Sequence, residues 1–413
     1  MKFTIVNDSN GIVDSLKFNQ LHHGGKHTLV ENPFFNPEYR DHFFPTIDDS
    51  RKVSPDTDVV MTEVHSTKAH SSNWRYYWGM DEKLEFDREW VSKACSQLGL
   101  PTLDFKVARS EKEARKFLTT CKWDGVVVKR MKSFTFDTYV INGKNWDLLP
   151  KNPDHYPVFL QQYVDVVAEY SHEFLVAEGN FVLISQETST CKVFDDESGP
   201  KVGDSSCLVR FDIDSGTIME NRYKKIGAFF KRHKIRGCFD IDYVVDKNGN
   251  SYVIEFLCGR FGSSASALVI KNMESDFLDV VSNLIFGKPT TVDFAHPYTL
   301  GRIFFTLLPM SQTSYDNIPI IGANRYRWDK AENTLITPIE GSCWNPQGEL
   351  VTTEFSASLG CLIHSGDNLS LMESVTTEAL EKLIYPHKHY RKNLSALWKS
   401  AALPKKITSG AFR

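Results

Sequence analysis

The sequence predicts an α/β and α+β multidomain protein, and three observations carry that prediction. The chain has 413 residues, well beyond one domain of roughly 150. Short apolar runs with strand character alternate with amphipathic stretches of helical spacing. Pro289 and Pro297 bracket a composition shift, after which Gly, Pro and short strand-like runs dominate. The expected division is an α/β unit over 1–80, a two-lobed α+β core over 81–290 and a mixed α/β unit over 291–400.

The elements follow in order. KFTIV reads as a strand, Ile12 to Leu21 as a helix stopped by Gly24-Gly25, HTLVE as a second strand and DVVMTEV (Asp58 to Val64) as a third. The NDSNG turn after the first strand has one glycine where a dinucleotide fingerprint wants three, so it argues against a phosphate cradle there. From Asp81 to Leu98 apolar residues recur at helical spacing, and Gly99 ends the helix. EKEARKFLTT is a second amphipathic helix before the apolar strand GVVVK, which ends on Lys129. Strand-like runs follow at VFLQQYV, HEFLVAEGNFVLI and SSCLVRF. The helix Asn221 to Lys234 is basic, which reads either as a solvated face or as an anion contact. The tail after Lys399 reads as frayed.

Composition excludes several classes. At 41% hydrophobic and 24% charged the chain is neither collagen-like nor disordered. No run approaches the roughly 18 apolar residues of a membrane span, and MKFTIVNDSNG is strand-like rather than a secretion signal, so a cytoplasmic protein without a membrane partner is expected. Lys+Arg 48 against Asp+Glu 52 leaves a net charge of -4, which gives nucleic acid no supporting field. The eight cysteines are scattered without a CxxC pair and read as reduced, mostly buried thiols. His22 with His23 and His387 with His389 have no carboxylate or cysteine at ligand spacing and read as surface histidines.

The most informative segment is GCFDIDYVVDKNGNSYVIEFLCGRFG. Alternating apolar residues flank Asn248-Gly249, a hairpin signal because a type I′ turn needs positive φ at both central positions. With those two residues as the loop, Asp242 lies opposite Glu255, and Asp240, on the same face, lies opposite Leu257. Facing carboxylates repel unless a cation or donor sits between them, and Mg²⁺ beside a nucleotide is commonly held by one or two carboxylates plus phosphate oxygens. A hairpin face carrying ordinary solvated acids is the other reading. Arg260 adds a fork-shaped cation suited to phosphate.

Taken together these segments resemble the ATP-grasp superfamily, and more closely its phosphoribosylamine-glycine ligase family. DKNGNSYVIEF followed by RFG resembles the metal-binding hairpin, and LEFDREWVSKACSQLGLPT the stretch entering the core. VVVK resembles the strand bearing a phosphate-contacting lysine, and FLQQYVDVVAEYSHEFLVAEGNFV the adenine-site strand. KVFDDESGPKVGD resembles the lysine-containing loop, and HYRKNLS the C-terminal signature. The resemblance implies that Lys129 contacts ATP phosphate, that Gln162, Tyr163 and Val164 line the adenine pocket, and that Glu169 holds the ribose. It gives Lys192 and Arg260 catalytic roles toward nucleotide and phosphate, and Glu255 a metal-ligand role; Asp242 and Asp240 join Glu255 by hairpin register.

The resemblance implies an ATP- and Mg²⁺- (or Mn²⁺-) dependent ligase of the purine-biosynthesis type. An acyl phosphate formed from a small carboxylate such as glycine would be attacked by an amine on a nucleotide or sugar phosphate, in a monomer or small oligomer. The departures are specific. After Lys129 the text is KRMKSFTFDTYVI, with no glycine until Gly143; Leu257 replaces an asparagine; one extra residue precedes RFG, and Ser263 and Ser264 follow it in place of an acidic pair; and the middle loop closes on VGDSS. They leave open an acceptor such as an aminated nucleobase, or a nucleotide-binding protein that has lost turnover.

Overall fold

The structure, a computed structural model, describes residues 1–6, 16, 19–20, 23, 28–32, 58–62, 76–78 and 87–401, the last span without 132–137, 143–145, 178, 196–197, 200, 212, 214–219, 259–264, 308–316, 329, 331–332, 340, 354–356 and 400. Lys2–Val6 (β1) pairs in parallel with Thr28–Asn32 (β2) and Val59–Thr62 (β3), and Tyr76–Trp78 (β4) extends the sheet beside β3. This all-parallel order, β2-β1-β3-β4, realises the expected α/β start. Leu16, Asn19 and Gln20 of the expected helix are helical, whereas the NDSNG turn lies outside the described residues. Buried Asn19 accepts a hydrogen bond from Phe277 N at 3.0 Å and donates to Ser275 O at 3.1 Å, docking this unit onto the core.

The helix expected from Asp81 begins at Arg88 (α1, Arg88–Leu98), because Asp87 is its N-cap and accepts from Trp90 N at 2.9 Å. An Asp at that position satisfies an amide that the first turn leaves without a partner. Gly99, at φ 66°, closes the helix in the left-handed region as the Gly-Leu-Pro stop anticipates. Phe105–Ala108 (β5), Glu111–Thr120 (α2), Gly125–Arg130 (β6), Tyr139–Asn142 (β7) and Val158–Gln162 (β8) form a small antiparallel sheet in the order β5-β8-β6-β7. Its Val126, Val128, Val158 and Leu160 pack with Ala114 of α2. Alternation along a strand then puts Lys129, Phe159 and Gln161 on the opposite face.

The dominant element is a nine-stranded sheet. It comprises Val166–Ala177 (β9), Asn180–Lys192 (β10), Lys201–Arg210 (β11), Arg236–Asp246 (β12), Ser251–Cys258 (β13), Tyr298–Thr306 (β14), Thr334–Pro338 (β15), Ser358–Gly366 (β18) and Lys388–Tyr390 (β19). The order is β13-β12-β9-β10-β11-β14-β18-β15, with β19 also on β14, so one sheet runs on through the composition shift near Pro289. Ser342–Trp344 (β16) and Leu350–Thr352 (β17) form a separate pair.

Helices cover both faces. Ile226, Phe229 and Phe230 of Glu220–Arg232 (α3) pack with Val91 and Leu98 of α1 on the face that carries Tyr170, Phe174 and Val176. Lys225, Lys231 and Arg232 are exposed, so the described basic residues of α3 lie on the solvated side of that layer. The other face holds Leu175, Ala177, Cys207, Val209 and Cys238 under Ala265–Asn272 (α4) and Phe277–Ile285 (α5). Leu369–Lys382 (α6) packs Ala379 and Leu380 against Leu362 and Phe304 of the distal strands.

Cys95, Cys207, Cys238 and Cys361 are buried and Cys343 is exposed. Among the described residues no helix is long and apolar enough to cross a membrane.

Candidate functional site

The site starts with a hairpin whose register comes out as expected through a different turn. Asp242 lies opposite Glu255 and Asp240 opposite Leu257, but nearer the tip Tyr243 faces Val253 and Val244 faces Tyr252, one residue out of step. The loop is Lys247-Asn248-Gly249, closed by Gly249 N donating to Asp246 O at 2.9 Å; Gly249 has φ 84°, and Asn248 is not among the positive-φ residues. That is a three-residue loop with glycine in the left-handed position, not the two-residue type I′ turn. The Asp246 carboxylate explains the choice: it accepts from Asn248 N and Asn250 N, each at 2.8 Å, and from Asn250 Nδ2 at 2.9 Å. A bulge at Ile254 then supplies one extra residue on β13 and restores the carboxylates to opposed positions.

Neighbouring strands extend the acidic face. Asp242 lies opposite Ser171 on β9, and Ser171 opposite Glu187 on β10; one row along, Asp240 lies opposite Glu173, and Glu173 opposite Ser185. Paired residues share a face, so Glu255, Asp242, Ser171 and Glu187 form one row and Asp240, Glu173 and Ser185 the next. Glu169, two positions from Ser171 on β9, is on the same face. The apolar cover of α4 and α5 stops at Leu175, the next inward residue of β9.

Burial makes this face electrostatically costly. Glu173 is 0% exposed, Asp240 1% and Glu187 5%. Desolvation, then the charge of Asp240, pushes the Glu173 carboxyl well above the usual carboxylate range; desolvation, then Asp204 and Glu173, does the same to Glu187. Asp242 is raised by desolvation first and then by Asp240, Glu255, Glu169 and Asp204. Ser185 Oγ donates to the Glu173 carboxyl. Such a group keeps protons or attracts a cation.

Arg88, which the sequence pattern did not single out, stands at the rim. Its Nη1 is 3.2 Å from Glu255 Oε2 and its Nε donates to Arg130 O at 3.3 Å, tying α1, the end of β6 and β13 together. A cation in the first turn of a helix opposes the macrodipole, and that mismatch is the signal by which it could have been found. Glu173 and Glu187 carried a comparable signal as acids at inward-alternating positions of apolar strands.

The remaining candidates fall on three surfaces. Lys129 is buried (8% exposed) on β6, opposite Phe159, on the face of the small sheet turned away from α2. Gln162, Tyr163 and Val164 form the half-buried link from β8 to β9. Gln162 N donates to Asp104 O at 2.8 Å and Tyr163 N to Gly125 O at 3.0 Å; Lys247 at the hairpin tip pins the far end, its Nζ 2.8 Å from Asp165 Oδ2. Lys192 ends β10, with Nζ donating to Gly199 O at 3.0 Å, further along the strand than Glu187. The structure therefore groups Asp240, Asp242, Glu255 and Glu169 on one face and sets Lys129, the link and Lys192 on flanking elements. Arg260, Ser263 and Ser264 lie outside the described residues, as do 132–137 of the segment after Lys129.

This small antiparallel sheet joined by one extended link to a large acidic sheet matches solved structures along its length. Phosphoribosylamine-glycine ligase from Thermotoga maritima superposes with a TM-score of 0.73 at 17% identity, covering 95% of this chain and 100% of that one. The chain has the ATP-grasp fold. Other solved structures sharing it are biotin carboxylase from Campylobacter jejuni in complex with β-γ-ATP (TM-score 0.65, 11% identity, 99% and 96% covered) and N5-carboxyaminoimidazole synthetase from Staphylococcus aureus (0.59, 13%, 92% and 97%). Among curated sequences, phosphoribosylamine-glycine ligases from two strains of Neisseria meningitidis are 22% identical over 230 residues, 54% of this chain. The ATP-grasp chain here thus spans about half the length of the curated relatives it matches. No family model matches it.

Proposed function

We propose that this ATP-grasp chain is an ATP-dependent carbon-nitrogen ligase of the kind that serves purine biosynthesis. It joins a carboxylate, such as that of glycine, to an amine on a nucleotide or sugar phosphate. The observation that carries the reading is the opposition of Asp242 and Glu255 within a buried acidic face, beside a link strand and a strand-borne lysine, in a fold whose solved examples include two ligases of this chemistry. A carboxylate is a poor acyl donor because its oxide leaves badly. Transfer of the γ-phosphoryl group gives an acyl phosphate, which an amine attacks with release of phosphate.

In this reading Lys129 offsets charge on the ATP phosphates, Lys192 contacts the nucleotide and Arg260 meets phosphate. Gln162, Tyr163 and Val164 line the adenine pocket through backbone and side-chain edges, and Glu169 takes the ribose hydroxyls. The acidic face fits Mg²⁺: its donors are hard oxygens, the Asp242 carboxyl is held above its usual range by burial first and then by surrounding negative charge, and two carboxylates completed by phosphate oxygens are a common arrangement for that ion. Asp242 and Glu255 would hold it with phosphate oxygens completing the shell, since among the described residues no three acidic, histidine or cysteine side chains stand close enough to hold a metal by themselves. Asp240, one row along, is the candidate for the oxygen that Leu257 cannot give. When bound, the ion offsets negative charge developing on the transferring phosphoryl group. Arg88, on Glu255 Oε2, fixes that carboxylate in place.

The glycine-free KRMKSFTFDTY favours a second reading, a nucleotide-binding protein without turnover, since glycines let backbone amides wrap phosphate. Purified protein incubated with Mg-ATP, amino acids and candidate amines, and read by mass spectrometry, separates the two. ADP release that requires both acyl donor and amine, with a new amide mass, supports the ligase; ATP binding without either product supports the second reading. Phosphoribosylamine is expected to be a poor acceptor, because the departures gather at NDSNG, VGDSS and Ser263-Ser264 rather than along the adenine strand. A kcat/KM of about 10⁴ M⁻¹s⁻¹ or more with glycine and phosphoribosylamine would overturn that expectation.

A further inference from the structure

The end of β10 is held by the opposite end of the chain. His389 Nε2 bonds Val193 O at 3.0 Å, and Arg391 Nη1 donates to Lys192 O at 3.3 Å. Asp195 Oδ1 accepts from two successive backbone amides, Lys392 N at 2.7 Å and Asn393 N at 2.9 Å. The Phe194 ring meets His389 edge-on at 5.5 Å. Consecutive residues from Lys192 to Asp195 are therefore gripped by the segment His389 to Asn393. That segment is itself anchored: Arg302 donates to Arg391 O and to Thr377 Oγ1 (2.6 Å), and its guanidinium lies 5.3 Å from the centre of the Tyr390 ring. Arg302 and Arg391 are each 1% exposed.

The grip falls at a break in the β10–β11 ladder. The β10–β11 register shifts between Thr190 and Lys192, so the regular ladder breaks as the strand reaches Lys192. A lysine head on four rotatable bonds can be aimed only if its backbone is fixed, and here the C-terminal segment supplies bonds that the ladder does not.

We propose that Asp195, His389 and Arg391 are positioning residues for Lys192, so that the C-terminal segment sets the hold on nucleotide phosphate without touching it. This rests on the nucleotide reading of Lys192 given above. None of the three residues needs to contact ligand; each acts through the main chain of 192–195. The link explains why a tight cluster of bonds joins positions 196 to 199 residues apart in sequence.

The test is a double-mutant cycle on the full chain, with Mg-ATP and Mg-ADP affinity measured by calorimetry alongside thermal midpoints. D195A is expected to weaken ATP binding about fivefold, the scale of one coupled contact, and to have no further effect in a K192A background. D195N, which keeps an acceptor oxygen for both amides, should recover most of the loss. Should D195A lower the midpoint by many degrees, H389F goes through the same cycle, since it keeps the ring against Phe194 and removes only the bond to Val193 O. An equal loss from D195A with or without Lys192, or no loss in the parent, overturns the proposal. Parent-like ATP binding by K192A overturns it together with the nucleotide role of Lys192, while leaving nucleotide binding by the protein intact; a parent that binds no ATP overturns all three.

Discussion

Strand β9 carries two opposite chemistries. On one face Tyr170, Phe174 and Val176 pack against α1 and α3, with Phe174 stacked edge-on between Phe181 and Phe230 at 6.1 and 5.9 Å. On the other, Glu169, Ser171 and Glu173 join Asp240, Asp242 and Glu187 in an acidic layer. The difference teaches where this protein stores stability and where it gives stability up. An apolar face gains from every contact, whereas buried like charges cost free energy unless protons or a cation compensate them. One strand serves both because its side chains alternate.

Breaking the apolar face should have the largest effect. F174A should cost about 3–5 kcal/mol of stability by removing a fully buried ring, read as a shift in the denaturation midpoint, and should change nucleotide affinity little in whatever remains folded. Loss of affinity without loss of stability would show that the two faces are not separable. Next, E255Q should leave the midpoint close to the parent's and lower Mg-dependent ATP binding or turnover by about 100-fold, the scale of one lost charge-stabilising group. Parent-like behaviour would place the cation elsewhere.

A smaller effect sharpens the comparison by pH. Native Glu187 holds its proton above the usual carboxylate range, while the unfolded chain releases it near the ordinary value. The unfolded state therefore binds fewer protons across that window, and parent stability should fall as pH rises through it. E187Q cannot ionise, so its midpoint should exceed the parent's at pH 8 and the gain should shrink toward pH 5. Saturating Mg²⁺ should narrow the same gap. A gain that grows as pH falls would mean that Glu187 is stabilised as the carboxylate. The smallest expected effect is the ratio of ATP to ADP affinity, within about threefold of unity in the absence of glycine-borne amides around the terminal phosphate; a strong preference for ATP would show that the segment after Lys129 wraps it after all.

The sequence by itself determined what depends on neighbours in the chain. The helix 111–120, the GVVVK strand ending on Lys129, and the opposition of Asp242 to Glu255 follow from local periodicity. Even the last came out through two offsetting one-residue differences, a longer loop fixed by Asp246 and a bulge at Ile254, neither of which alternation encodes. Tertiary structure alone decided which strands lie side by side. The row from Glu255 to Glu187 joins four strands, Arg88 reaches Glu255 across 167 residues, and His389 to Asn393 grip Lys192 to Asp195 from nearly 200 away. Local pattern says which face a side chain takes, but which acids share that face is set by strand order. That order is fixed by the closure of distant segments onto one core, and its entropic cost and apolar reward are properties of the whole chain.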